Sequence, residues 1–177
     1  MKLQTNRLLL RPISLEDKEA VFAYRSNKED NKYQGWIPEK LSDVEVFIGK
    51  VAKQLDEPDS WFQLVIIEQG SGLVIGDLGI HFCGDENKQA ELGCTLNREF
   101  WHKGYATEAM KKAIDFLFND LDKHRIFASI DPENSASIGL VERMGFRKEA
   151  HFVQSLYIDG KWVDDMVYAL LRSEWDG

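Results

Sequence analysis

From Ala106 the chain places Ala109, Met110, Ala113, Ile114, Leu117, Phe118 and Leu121 at i+3, i+4, i+7, i+8, i+11, i+12 and i+15, the continuous apolar face of one long helix. Such a stripe has to be buried against another layer, and the chain before it supplies a sheet. Trp61 to Glu68, Leu73 to Phe82 and Gln89 to Leu96 are strand-like runs. The turn signals Gly70-Ser71-Gly72 and Gly84-Asp85-Glu86-Asn87 between them predict an antiparallel meander. Beyond the helix, Arg125 to Ile130 reads as a strand, Asn134 to Met144 as a helix closed by Gly145, and Phe146 to Tyr157 as a strand. Asp159-Gly160 predicts a type I′ hairpin turn into a returning strand, Trp162 to Leu171.

The N-terminal part adds one strand and two helices. Leu8, Leu9 and Leu10, between Arg7 and Arg11, predict a buried strand stopped by Pro12, which has no N–H for a ladder. Ser14 with Asp17 reads as a helix start, with Val21, Phe22 and Tyr24 on a helix reaching about Lys28. Ser42 with Glu45 forms a second capping signal, followed by the stripe Val44, Ile48, Val51 and Leu55, which fades near Glu57-Pro58. The polar stretch from Ser26 to Gln34 is loop. A chain of 177 residues is expected to form a single domain.

Composition removes several classes of function. A formal charge of −8 disfavours broad attraction to nucleic-acid phosphate and suits a cationic partner. Cys83 and Cys94 form no C-x-x-C pair, so neither a disulfide framework nor a structural zinc site is expected. His81 and Cys83 alternate on one strand face and offer two metal ligands, but no third joins them. No apolar run approaches the roughly 18 residues of a membrane span, and no signal-peptide core follows the N-terminus. A soluble, cytoplasmic protein is expected.

The segment Trp101-His102-Lys103-Gly104-Tyr105-Ala106-Thr107-Glu108-Ala109 joins a strand to the long helix. The first N–H groups of a helix lack internal partners and lie at the positive end of its dipole, so they bind anions. Gly104 and Ala106 allow close approach of a ligand. The segment is not a G-x-x-x-x-G-K-[ST] phosphate loop, and no G-x-G-x-x-G follows the first strand.

This run resembles motif A of the GNAT acetyltransferases, Q/R-x-x-G-x-G/A, with Gly104 and Ala106 at the small positions and Trp101 where a polar residue is usual. Its tail, Gly104 to Ala109, is similar to the branch that acetylates ribosomal-protein N-termini, the RimJ/RimL-like group; His102 stands where that branch often has glycine. Asn134-x-x-Ser137 with Leu140, Glu142, Met144, Gly145 and Phe146 resembles a second block of the branch, with Arg143 where lysine is frequent. Arg7-Leu8-x-Leu10-Arg11-Pro12 resembles its opening strand, and Trp162-Val163-Asp164-Asp165-x-x-x-Tyr168 its closing hairpin. The resemblance spans nearly the whole chain.

It implies an α/β (α+β) fold, with a mixed, mostly antiparallel sheet of about seven strands, splayed near Gly93, and helices on both faces. The cosubstrate would be acetyl-CoA, its phosphates on the backbone of His102, Lys103, Gly104, Tyr105, Ala106 and Thr107, and its pantetheine along Cys94, Thr95 and Leu96. Asn134 would hold a pantetheine amide, and Ser137 would protonate the leaving thiolate. Glu91 matches the family's acidic residue beside the acceptor amine. Tyr105 is expected to pack rather than act as an acid.

Trp36, Trp61 and Phe82 are candidates for the acceptor groove, since aromatic faces pack against cationic amines. Core packing is the competing reading for Trp61 and Phe82, and Trp36, in a loop, is the stronger choice. An α-amino group, with a reference pKa of about 7.7 to 8.0 against about 10.4 for lysine, is easier to neutralise at pH 7 by about 3 to 4 kcal/mol. A protein N-terminus is therefore the favoured acceptor, ahead of small amines such as polyamines or aminoglycosides. A non-catalytic acyl-CoA-binding module is the alternative from another class.

Overall fold

A computed structural model of the protein describes residues 1–84, 86–158 and 160–177. The turn readings at Gly84 to Asn87 and at Asp159-Gly160 include Asp85 and Asp159, which lie outside the described residues. The strands are β1 (Leu3–Gln4), β2 (Leu8–Pro12), β3 (Ser60–Glu68), β4 (Val74–Cys83), β5 (Gln89–Leu96), β6 (Arg125–Ile130), β7 (Arg147–Ile158) and β8 (Lys161–Leu171). The helices are α1 (Lys18–Arg25), α2 (Leu41–Lys50), α3 (Tyr105–Asn119) and α4 (Ser135–Arg143).

The strands form one sheet in the order β1-β2-β3-β4-β5-β6-β8-β7, antiparallel throughout except for the parallel pair β5–β6. That pair is parallel because α3 carries the chain back to the starting edge between its strands. Among the described residues the sheet has eight strands, against the about seven expected. The added one is the two-residue β1, which pairs Leu3 with Leu10 and Gln4 with Leu9 and is too short to show a period.

Alternation along the strands divides the core in two. Leu64, Leu78, Ile80, Phe82, Ala90, Leu92 and Ile126 meet Ala109, Met110, Ala113, Ile114 and Leu117 of α3. On the opposite face Val65 meets Val21, Tyr24, Val44 and Ile48 of α1 and α2. Helices thus cover both faces, as expected, but α1 and α2 are shorter than their patterns. A single 3₁₀ turn, Leu15–Asp17, precedes α1, and there Asp17 Oδ2 accepts from the Ser14 N–H at 2.8 Å. At α2 the capping carboxylate is Asp43, which accepts from the Lys40 N–H at 3.1 Å, and Ser42 lies within the first turn.

Candidate active site

Pairing between β5 and β6 ends at Glu91↔Phe127, although β5 runs on to Leu96 and β6 to Ile130. The strands part there. A cleft of roughly 850 Å³ opens between Cys94, Thr95 and Leu96 of β5, the junction residues His102, Gly104, Tyr105, Ala106 and Thr107, and Asn134 and Ser137 of α4. The splay starts one residue before Gly93. Gly93 itself is no bulge, since it pairs with Gly79 in an unshifted β4–β5 register.

The N-terminus of α3 is open toward this cleft. Bonding within the helix begins with the Glu108 N–H donating to the Gly104 carbonyl at 3.0 Å, leaving the N–H groups of Tyr105, Ala106 and Thr107 free of intrahelical partners. Gly104 has φ +80 and His102 has φ +60. At His102, where the resemblance expects glycine, that left-handed backbone costs an L-residue about 1 to 2 kcal/mol. Trp101, the departure from the motif, ties the loop to the sheet: its indole N–H donates to the Leu96 carbonyl at 2.8 Å.

A clamp from the turn between β1 and β2, unassigned from sequence, holds the other side of the loop. The Arg7 guanidinium donates to the Lys103 carbonyl at 3.0 Å and to Glu108 Oε2 at 2.7 Å, and lies 4.4 Å from the centre of the Tyr105 ring. Thr5 Oγ1 donates to Glu108 Oε1 at 2.5 Å. Burial opposes ionisation of Glu108, but these donors outweigh it and hold the carboxyl below its usual range. Lys103 does not line the cleft. Its carbonyl is taken by Arg7, and its ammonium lies 5.1 Å from the Phe100 ring centre. Because charge-assisted hydrogen bonds are worth about 1.5 to 3 kcal/mol, Arg7→Ala should loosen this loop and weaken about tenfold the binding of an anion held at the α3 N-terminus, with turnover at saturation near wild type; initial-rate kinetics check this.

On α4, Asn134 Oδ1 accepts from the Ser137 N–H at 3.1 Å. That oxygen caps the helix, so only the amide NH₂ of Asn134 is left to donate into the cleft. Tyr105 packs against the core beside Phe100. Burial, with the Asp77 charge adding to it, pushes the Cys94 thiol up to about 12. It stays protonated and is no nucleophile at neutral pH.

Glu91 stands at the root of the splay, directly across from His81 on β4, with Oε2 at 3.5 Å from His81 Nδ1. Burial raises its carboxyl pKa, His81 opposes the rise, and Asp165 adds to it. Asp165 accepts from Ser129 Oγ at 2.7 Å.

The aromatic assignments change. Phe82 is fully buried, with the Lys123 ammonium 4.9 Å from its ring centre, and cannot line a groove. Its neighbours His81 and Cys83 point to the opposite face, because alternate strand residues do. Trp36 stacks on Phe47 of α2 at 4.5 Å and lies outside the cleft lining. Trp61, likewise outside the cleft lining, is 44% exposed and stacks on His81 at 4.8 Å. Among the described residues, no group of three or more His, Cys, Asp or Glu is placed to hold a metal ion, and no helix is long and apolar enough to cross a membrane.

A mixed sheet that parts beside an open helix N-terminus is the architecture of an acyl-transferring protein that grips an anionic, extended cosubstrate. The chain belongs to the acetyltransferase (GNAT) domain family, which it matches over residues 7–147, and it is an acetyl-transferring enzyme. It is 34% identical over 99% of its length, and 98% of the relative's, to an uncharacterized N-acetyltransferase, p20, of Bacillus licheniformis. The crystal structure of a GNAT-family acetyltransferase from Bacillus anthracis superposes with a TM-score of 0.87 at 30% identity, covering 98% of this chain and 100% of that one.

Two further similarities carry named acceptors. The [ribosomal protein uS5]-alanine N-acetyltransferase of Escherichia coli is 36% identical over 48% of this chain and 43% of its own. A Vibrio cholerae spermidine N-acetyltransferase, solved with CoA and spermine, has a TM-score of 0.82 at 23% identity, over 96% of this chain and 98% of that one, a likeness of fold.

Proposed function

We propose that this enzyme transfers the acetyl group of acetyl-CoA directly to a primary amine, with a protein N-terminal α-amino group as the favoured acceptor. The observation that carries the reading is the cleft where β5 and β6 part. One end of it offers the free N–H groups of Tyr105, Ala106 and Thr107 to a pyrophosphate, and it follows the Cys94–Leu96 strand end. The backbone of Cys94, Thr95 and Leu96 takes the pantetheine arm, and Ser137, on the cleft wall, protonates the departing thiolate.

Glu91, at the root of the cleft, takes the amine proton. Transfer is direct, without an acyl-cysteine, because the Cys94 thiol holds its proton. The N-terminal acceptor is favoured by the lower basicity of α-amines and by the likeness to the uS5-alanine enzyme. A small polyamine is the second reading, supported by the likeness to the spermidine enzyme.

Calorimetric titration with acetyl-CoA, followed by thiol-release assays on N-terminal peptides, N-acetylated controls and spermidine, tests the proposal. Micromolar binding with release that depends on a free peptide N-terminus is the expected result. Release with spermidine alone selects the second reading, and binding without release to any amine leaves only a binding module.

A further inference from the structure

We infer that His81 is a positioning residue for the acceptor chemistry, aligning the Glu91 carboxylate and passing the proton that it collects out to solvent. This inference rests on the reading of Glu91 as the base. His81 and Glu91 are cross-strand partners on β4 and β5, and their side chains meet at 3.5 Å with 29% and 23% exposed.

The imidazole is itself held from behind. Trp61, its partner on β3, stacks on it at 4.8 Å with the rings 8° from parallel. Room for the indole comes from Gly79, where a Cβ would meet Trp61 Cζ3 at 3.2 Å. The result is a row across three strands, Trp61, His81 and Glu91, ending at the point where β5 and β6 part.

A base at this point needs an exit for its proton. As the amine nitrogen attacks the thioester carbon, the C–N bond forms, the C–S bond breaks, and the thiolate leaves to be protonated. An ammonium acceptor gives up two protons: one passes to Glu91, then to His81 Nδ1, while the opposite ring nitrogen releases one to water, and the other replaces the proton that Ser137 gives to the departing sulfur. One proton is released for each ammonium acetylated. Imidazole suits this role, because both of its nitrogens exchange protons and its charge changes near neutral pH.

Burial pushes the Glu91 carboxyl up, and His81 is the group that opposes the rise. The other titratable or charged groups acting on this patch are Cys83 on β4, Asp59 before β3, Arg125 on β6 and Asp165 on β8.

The test compares His81→Gln, His81→Ala and Glu91→Gln with wild type. Circular dichroism melts and calorimetric acetyl-CoA affinity serve as folding controls. In His81→Gln, kcat should fall about ten- to a hundredfold, a part of the 10² to 10⁴ that acid–base catalysis supplies. KM for acetyl-CoA should stay constant. The acid limb of kcat/KM should move to higher pH, because nothing then opposes the burial of Glu91. Added imidazole should restore turnover to His81→Ala.

Wild-type turnover and pH profile in His81→Gln, with Glu91→Gln impaired, overturns the relay and leaves the base assignment standing. A loss in His81→Gln with neither a shifted acid limb nor imidazole rescue of His81→Ala reduces His81 to scaffolding and also overturns it. Wild-type turnover in Glu91→Gln removes the base assignment itself.

Discussion

Glu91→Gln should lower kcat at least about a hundredfold while acetyl-CoA binds with unchanged affinity. The substitution keeps the size of the side chain and removes the proton acceptor that the proposed mechanism assigns to it. A positioned general base contributes about 10² to 10⁴ in rate, and an interaction made only during the chemical step is lost from kcat. Acetyl-CoA affinity should stay, because the cleft is lined by Cys94 to Leu96, the α3 junction and α4, and Glu91 is not part of that lining. Steady-state thiol release and calorimetry separate the two effects.

The wild-type pH profile has a predictable sign. A base works when deprotonated, and burial raises the Glu91 carboxyl above its ordinary value. Activity should therefore be present above that raised value and fall as pH drops through it, with the acid limb at higher pH than an exposed glutamate would give.

Asp77→Ala should be the most damaging substitution for stability, costing about 3 to 5 kcal/mol and lowering Tm by roughly 6 to 20 °C for a chain of this size. The Asp77 carboxylate is buried and binds three side chains. It accepts from the Tyr24 hydroxyl at 2.6 Å, from Arg25 Nε at 2.8 Å, and from Gln63 Nε2 at 2.6 Å. Arg25 Nη2 adds a fourth bond at 2.5 Å.

Burial alone would lower the Arg25 pKa; the Asp77 charge and hydrogen bond outweigh it and hold the guanidinium above its ordinary value. Removing the carboxylate leaves a buried cation uncompensated, together with two orphaned donors, Tyr24 and Gln63. Asp77→Asn, which keeps part of the hydrogen bonding, should lie between alanine and wild type. Thermal melts followed by circular dichroism check both. Loss of acetyl-CoA affinity should accompany the alanine variant, because Asp77 pairs with Thr95 on the cleft strand and its network pins α1 to the sheet.

Neither residue of this ion pair announces itself locally. Asp77 sits in an apolar strand and Arg25 at the end of a helix, 52 residues away. The Arg7 clamp is the same case: Arg7 and Glu108 are 101 residues apart, and the motif containing Arg7 reads simply as an opening strand. Long-range polar pairs leave no period in a sequence, so no pattern could have found them.

Face assignments failed for a related reason. Parity along β4 separates Phe82 from His81 and Cys83, but it does not say how far along a face the helices reach, so in the sequence Trp61 and Phe82 carry the same two readings, groove and core. Trp61 and Val65 share one face of β3, and α1 and α2 cover that face near Val65 but leave its far end, with Trp61, His81 and Glu91, partly exposed.

The sequence alone determined what rests on local periodicity and short-range steric rules. These are the three-strand meander, the long α3 stripe, the glycine at the start of α3 and the capped α4, and with them the expectation of an anionic cosubstrate at a helix N-terminus. Tertiary structure decided where β5 and β6 part, which strand end supports the phosphate loop, which aromatic stands beside Glu91, and which buried carboxylate holds α1 in place. Those features depend on pairing between distant segments, and the energy of a pair is set by the distance and burial that folding creates, which neither residue carries in its own neighbourhood of the chain.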